Sequence, residues 1–199
     1  MSGLRASSVA AARCLALALA LVLALMPLSA QSAEAQVVRI DPLIADGELT
    51  MDIDFDLDLT RSMQDAAERG VSLSFAVDLM ITAPRWWWRD RVVVESTLIR
   101  RLSYNTLTRQ WRVSAGDLYL PVGSIEEAVG VLRQVRGWHV APVDRFEPNA
   151  RYDGRIRLRL DSSQLARPLQ VDALNRGAWS LASPWRAFDF SIQQTDSSR

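Results

Sequence analysis

Leu49-Thr50-Met51-Asp52-Ile53-Asp54-Phe55-Asp56-Leu57-Asp58-Leu59 is the stretch on which the fold class turns. Apolar and polar side chains alternate along it without a break. Successive side chains of an extended chain face opposite ways, whereas a helix would wrap these apolar residues around every side. The segment is therefore a β-strand with one face for a core and an acidic face made by Asp52, Asp54, Asp56 and Asp58.

Working outward, Val71-x-Leu73-x-Phe75-x-Val77-x-Leu79-x-Ile81 repeats the pattern, with Ser72, Ser74 and Asp78 opposite. Residues 91–103, 107–113 and 118–122 are further β-prone stretches, and Asn105-Thr106 reads as a turn because Asn tolerates the left-handed region. Together these predict an antiparallel meander of at least four strands. Residues 152–161 alternate once more, with Ile156, Leu158 and Leu160 on one face and Arg155, Arg157 and Arg159 on the other. The expected fold class is mainly β. The meander forms a two-layer β-sandwich, for which an immunoglobulin-like topology is one candidate, with one or two short helices.

The helices fall between these runs. Residues 61–69 fit two polar turns stopped by Gly70. Ser124 reads as a cap completed by Glu127, and Ile125, Ala128, Val129, Leu132 and Val135 share one helical face, ended by Gly137.

The N-terminus has a different character. Arg5 and Arg13 precede an apolar run of 12 residues, Leu15 to Met26, broken by Pro27. A positive segment followed by a short apolar one is a secretory signal, and the run falls well short of the roughly 20 residues a membrane-spanning helix needs. Ala33-Glu34-Ala35 supplies the small-x-small pattern for cleavage before Gln36. The expected organisation is a signal peptide at 1–35, one β-rich domain at 36–190 and a frayed polar tail at 191–199. Localisation in the periplasm follows, with an uncleaved inner-membrane tether as the alternative. The single cysteine, Cys14, leaves with the signal, so hydrophobic burial alone must stabilise the domain. A chain of about 160 residues buries close to 70% of its unfolded surface, enough for one core without disulfides.

The 23 basic residues are all Arg and equal the 23 acidic ones; losing Arg5, Arg13 and Glu34 leaves one net negative charge. Such balance argues against nucleic acid or an anionic membrane as the main partner.

Two features could carry function. The acidic ladder Asp52, Asp54, Asp56, Asp58 and the basic ladder Arg155, Arg157, Arg159 would face each other if their strands were neighbours, fixing register at about 0–1 kcal/mol per exposed pair. The acidic run opens like a calcium loop, but Leu57 stands where that loop requires Gly and Met63 where it requires Glu. The ladders read as structural, and neither a metal nor a cofactor is expected. The second feature is Arg85-Trp86-Trp87-Trp88-Arg89-Asp90. On an extended chain Trp86 and Trp88 face one way and Trp87 the other, so a one-sided core cannot bury all three. Tryptophan flanked by arginine is the composition of a protein-contact hot spot, and Arg85, Trp86, Trp87, Trp88 and Arg89 are the candidate partner-binding residues. His139 has no second metal-ligand partner nearby and reads as a surface residue at the helix exit. No nucleophile elbow, phosphate loop or zinc-helix motif occurs.

Several segments together resemble the proteobacterial family known as domain of unknown function 4390. They are Gly70-Val71-Ser72-Leu73-Ser74-Phe75, Arg85-Trp86-Trp87-Trp88-Arg89-Asp90, Leu102-Ser103-Tyr104-Asn105-Thr106-Leu107-Thr108-Arg109-Gln110-Trp111, and Pro168-Leu169-Gln170 followed by Trp179 and Trp185. The resemblance implies an exported envelope protein with no assigned activity. It also implies a membrane histidine kinase of the nitrogen-regulation type as a candidate partner, and hence an accessory role in envelope sensing. The leading expectation is a non-enzymatic protein-interaction or sensing domain. The alternative is an envelope hydrolase or glycan-binding module that combines Trp stacking with a carboxylate drawn from Glu126, Glu127, Asp144 or Glu147.

Overall fold

The computed structural model describes residues 35–84, 90–165 and 179–192. The chain divides into a unit at Met1–Gln31 and a unit at Ser32–Arg199, and everything described belongs to the second.

That unit is mainly β, two antiparallel sheets with two helices. One sheet has three strands in the order β1 (Ala35–Ala45), β2 (Glu48–Leu57), β7 (Gln134–Pro142). The other has six, in the order β6 (Leu118–Val122), β5 (Gln110–Ala115), β4 (Arg91–Asn105), β3 (Leu73–Ala83), β8 (Arg151–Leu160), β9 (Arg186–Ser191). The expected meander is β3 to β6. The acidic strand β2 stands outside it, in the smaller sheet. Three strands against six also differs from the three-and-four division of an immunoglobulin domain.

Two helices carry the chain between sheets. α1 (Arg61–Glu68) joins β2 to β3, capped by Thr60, whose Oγ accepts from Met63 N at 3.3 Å, and it buries Met63, Ala66 and Ala67. α2 (Ile125–Leu132) joins β6 to β7, and Ser124 Oγ accepts from Glu127 N at 3.1 Å. The Glu127 carboxylate accepts from Gly123 N at 2.9 Å, one residue before the cap. α2 ends at Leu132 rather than continuing to Gly137, because Val135 and Gly137 belong to β7. Gly137, at φ +57°, sits in an irregularity where β7 slips against β2 between Met51 and Ile53. A bulge needs a residue that tolerates that backbone, and glycine does so at no steric cost.

The core forms where the alternating faces meet. Leu49, Met51, Ile53 and Leu57 of β2, Leu73, Phe75, Leu79 and Ile81 of β3, and Tyr152 and Ile156 of β8 are almost wholly buried. Each such aliphatic or aromatic side chain contributes about 1.5–3 kcal/mol on burial. β1 and β9 are also tied across the layers, since Arg186 Nη1 donates to Val37 O at 3.1 Å. At the end of the domain, Ser191 closes β9 and Ile192 is buried, its carbonyl accepting from Asn149 N at 2.8 Å. Those two residues are part of the fold rather than of a frayed tail. Ala35, expected to leave with the signal, is buried and paired with Leu57.

Candidate functional site

The two charge ladders lie in different sheets and do not face each other. Each is matched within its own sheet. In the three-stranded sheet, Asp52 Oδ1 accepts from the bulge amide of Gly137 at 2.8 Å, and Asp54 pairs with Arg136 and, at 3.6 Å, with Arg39. Asp58 pairs with Arg133 at 2.8 Å, whose Nε also donates to Leu57 O at 3.0 Å. The acidic ladder thus stitches β2 to β7 where the regular backbone ladder is interrupted. Asp56 is exposed.

In the six-stranded sheet Arg157 and Arg159 meet Asp78 of β3. Its carboxylate accepts from Arg157 Nε at 2.9 Å, from Arg159 Nε at 2.8 Å and Nη2 at 3.3 Å, and from Thr97 Oγ1 of β4 at 3.2 Å. Burial pushes the Asp78 pKa up, but the hydrogen bonds from Arg159, Arg157 and Thr97 and the charge of Arg159 outweigh it, so the net shift is downward. Arg155 and Arg157 hold their guanidinium carbons 5.1 and 4.5 Å from the Trp185 ring centre, within cation–π range. Sequence periodicity isolates the basic ladder correctly and misses Asp78 as its partner, since Asp78 is a lone acid among serines on its strand.

Arg85, Trp86, Trp87, Trp88 and Arg89 lie outside the described residues, as does Pro168-Leu169-Gln170. β3 ends at Ala83 and β4 begins at Arg91, and these two residues pair. His139 is on strand β7, opposite Thr50, rather than at a helix exit, and it is exposed. The carboxylates considered for hydrolysis are dispersed among structural roles. Glu126 and Glu127 open α2, Asp144 sits in a 3-10 turn, and Glu147 lies 3.6 Å from Arg91. Among the described residues no three His, Cys, Asp or Glu side chains gather as a metal site.

The arrangement that sequence reasoning missed is a cleft between the sheets. Six strands are wider than three, so β7 and α2 must cover the inner face of β4 and β5, and they leave a gap of about 600 Å³. Leu98 of β4, Ala115 of β5, Val131 of α2 and Trp138 of β7 form its apolar lining, and Arg100 is the charged residue on β4 within it. Arg100 occupies the inward phase of β4 with Leu98 and Leu102, opposite Phe75. Its Nη1 donates to the carbonyls of Val131 at 3.0 Å and Gln134 at 2.5 Å, capping the end of α2. Burial lowers the Arg100 pKa from its ordinary value, and among the described residues no carboxylate lies within ion-pair distance. Arg136 and His139 also line the cleft, so every ionisable group lining it is basic.

Taken together, fold and cleft define an antiparallel two-sheet β-domain with an open cleft between its layers. The chain belongs to the family described as Domain of unknown function (DUF4390), which matches residues 30–189. Neither a curated protein nor a solved structure matches it.

Proposed function

We propose that the chain is an exported, non-enzymatic accessory domain of the cell envelope that binds a ligand between its sheets and contacts a membrane protein, such as a sensor kinase, through the Trp-Arg segment at 85–89. The observation that carries this reading is the cleft itself. Beside that open cleft Arg100 is half-buried, and its Nη1 is satisfied by two carbonyls while no carboxylate among the described residues offsets its charge, a cost that a ligand anion would reduce. Ligand sites are concave, mostly apolar and provided with a few polar groups, commonly about 300–1,000 Å³ in volume, and the cleft fits that description. Export is supported by the Arg5 and Arg13 flank and the short apolar run that follows.

The test is capture of the protein from native envelope, followed by native mass spectrometry. The expected result is a bait beginning at or next to Gln36 that carries a non-covalent small-molecule adduct and co-purifies with a membrane sensor. A cytosolic bait that retains residues 1–35 would refute export. A ligand-free bait would refute the cleft reading, and one without a protein partner the accessory role.

A further inference from the structure

Resting on the cleft reading, we infer that the ligand is an amphipathic anion, with an apolar body between Leu98, Ala115, Val131 and Trp138 and a carboxylate or phosphate head on Arg100.

The donors of Arg100 divide in a way that points to its target. A guanidinium has five N–H groups in a rigid fork. Nη1 is committed to the carbonyls of Val131 and Gln134. That leaves the edge made by Nε and Nη2, the paired donors that match two oxygens of a carboxylate or phosphate, without a partner among the described residues. The two carbonyls also fix the side chain in place, so the free edge is held ready rather than ordered on binding.

The surroundings select the sign and the shape. Arg100, Arg136 and His139 line the cleft and no acid does. Arg136 is neutralised by Asp54, whereas Arg100 has no such counter-charge. An anionic head would therefore compensate a charge that the fold leaves uncompensated. Apart from Gln134, the remaining lining is apolar, so a free inorganic anion would fill only the polar corner. An apolar tail would displace water from the rest.

The test is titration of the purified domain with decanoate, decyl phosphate and decanol, all below their aggregation concentrations and read by calorimetry. Both anions are expected to bind at least tenfold more tightly than decanol. Decanoate binding with decyl phosphate inactive assigns a carboxylate head, and the reverse a phosphate head. Arg100→Met should abolish the preference and leave decanol binding intact. Because Arg100 also caps α2, a second variant, Ala115→Trp, keeps the arginine and fills the cleft from the position paired with it on β5, and should abolish binding of all three. Equal affinity for decanol and the anions overturns the inference about the head while the cleft reading stands. Binding of none of the three overturns both. Binding that survives Ala115→Trp places the ligand elsewhere and also overturns both.

Discussion

Replacing Asp78 by Asn tests whether the basic ladder is a structural device organised by one carboxylate. The exchange keeps the shape and removes the charge. Asp78 accepts four hydrogen bonds, three of them from Arg157 and Arg159. A hydrogen bond to a charged group contributes about 1.5–3 kcal/mol in mutational series. The side chains of Arg157 and Arg159 are 35% and 34% exposed, however, and water recovers part of what they lose. The asparagine also retains one carbonyl acceptor. The expected cost at neutral pH is therefore about 1–3 kcal/mol, or about 3–10 °C in Tm for a domain of this size. The sign of the pH dependence follows from the depressed pKa. Its contribution is fully present above the unfolded value near pH 4 and is lost as pH falls through the lower folded value. Thermal unfolding of parent and variant, followed by circular dichroism from pH 7 downward, should show a gap that is constant to about pH 4 and closes below it. A variant as stable as the parent at pH 7, or a gap that persists unchanged in strong acid, would refute the reasoning.

Four further outcomes are expected. Gly154→Ala places a methyl carbon 2.2–2.7 Å from the ring of Phe188 on β9, so the ring must swing out at a cost of about 1–3 kcal/mol, and chemical denaturation of the double variant with Phe188→Ala should recover part of the loss. Ser124→Ala removes the α2 cap and should cost about 1 kcal/mol in the same assay. Asp52→Ala orphans the Gly137 amide, and hydrogen exchange at Gly137 and its neighbours in β7 should accelerate while β3 stays protected. Trp86→Ala with Trp88→Ala should weaken capture of the membrane partner and leave ligand binding unchanged, since Arg91 and Arg100 are about 30 Å apart along β4; altered affinity in the cleft would contradict the assignment of two separate sites.

The most legible parts of the fold are the strands whose alternation is clearest. β2 and β8 have the pattern of a strand with a core on one side, whereas β3 keeps its Leu73-Phe75-Val77-Leu79-Ile81 row but also buries Ser74 and Ala76 on the other face. β1 was missed although its signal is present. Asp46-Gly47, at φ +52° and +77°, is the two-residue turn that most strongly marks a hairpin, and β1 pairs with β2 across it. The irregular run from Val37 to Ile44, with Pro42 on an edge strand, obscured it. β7 was absorbed into the preceding helix because Val135 continues the helical spacing of Leu132. Only the bulge at Gly137 and the pairing with β2 decide for a strand, and both are long-range facts. The same limit explains the ladders. Periodicity assigns each row of charges to a face, but strand order determines what that face meets.

Arg100 shows how the candidate site could have been found and why it was not. Between Leu98 and Leu102 it falls in an apolar phase of β4, and an inward arginine is the kind of local inconsistency that marks a functional position. Yet β4 is apolar in both phases, with Val93 and Ile99 in register opposite Val94 and Leu98, so the phase that faces the core cannot be chosen from the strand alone. The choice comes from β3, whose partners for Leu73, Phe75 and Val77 are Leu102, Arg100 and Leu98. The conspicuous charges of the sequence, seven residues in two rows, are largely matched by neighbours and serve the architecture. Arg100, which has no counter-ion among the described residues, sits singly on an unremarkable strand, beside the gap that a three-stranded sheet leaves over a six-stranded one. The proposed binding role rests on that residue because two carbonyls satisfy its Nη1 and no carboxylate among the described residues offsets its charge.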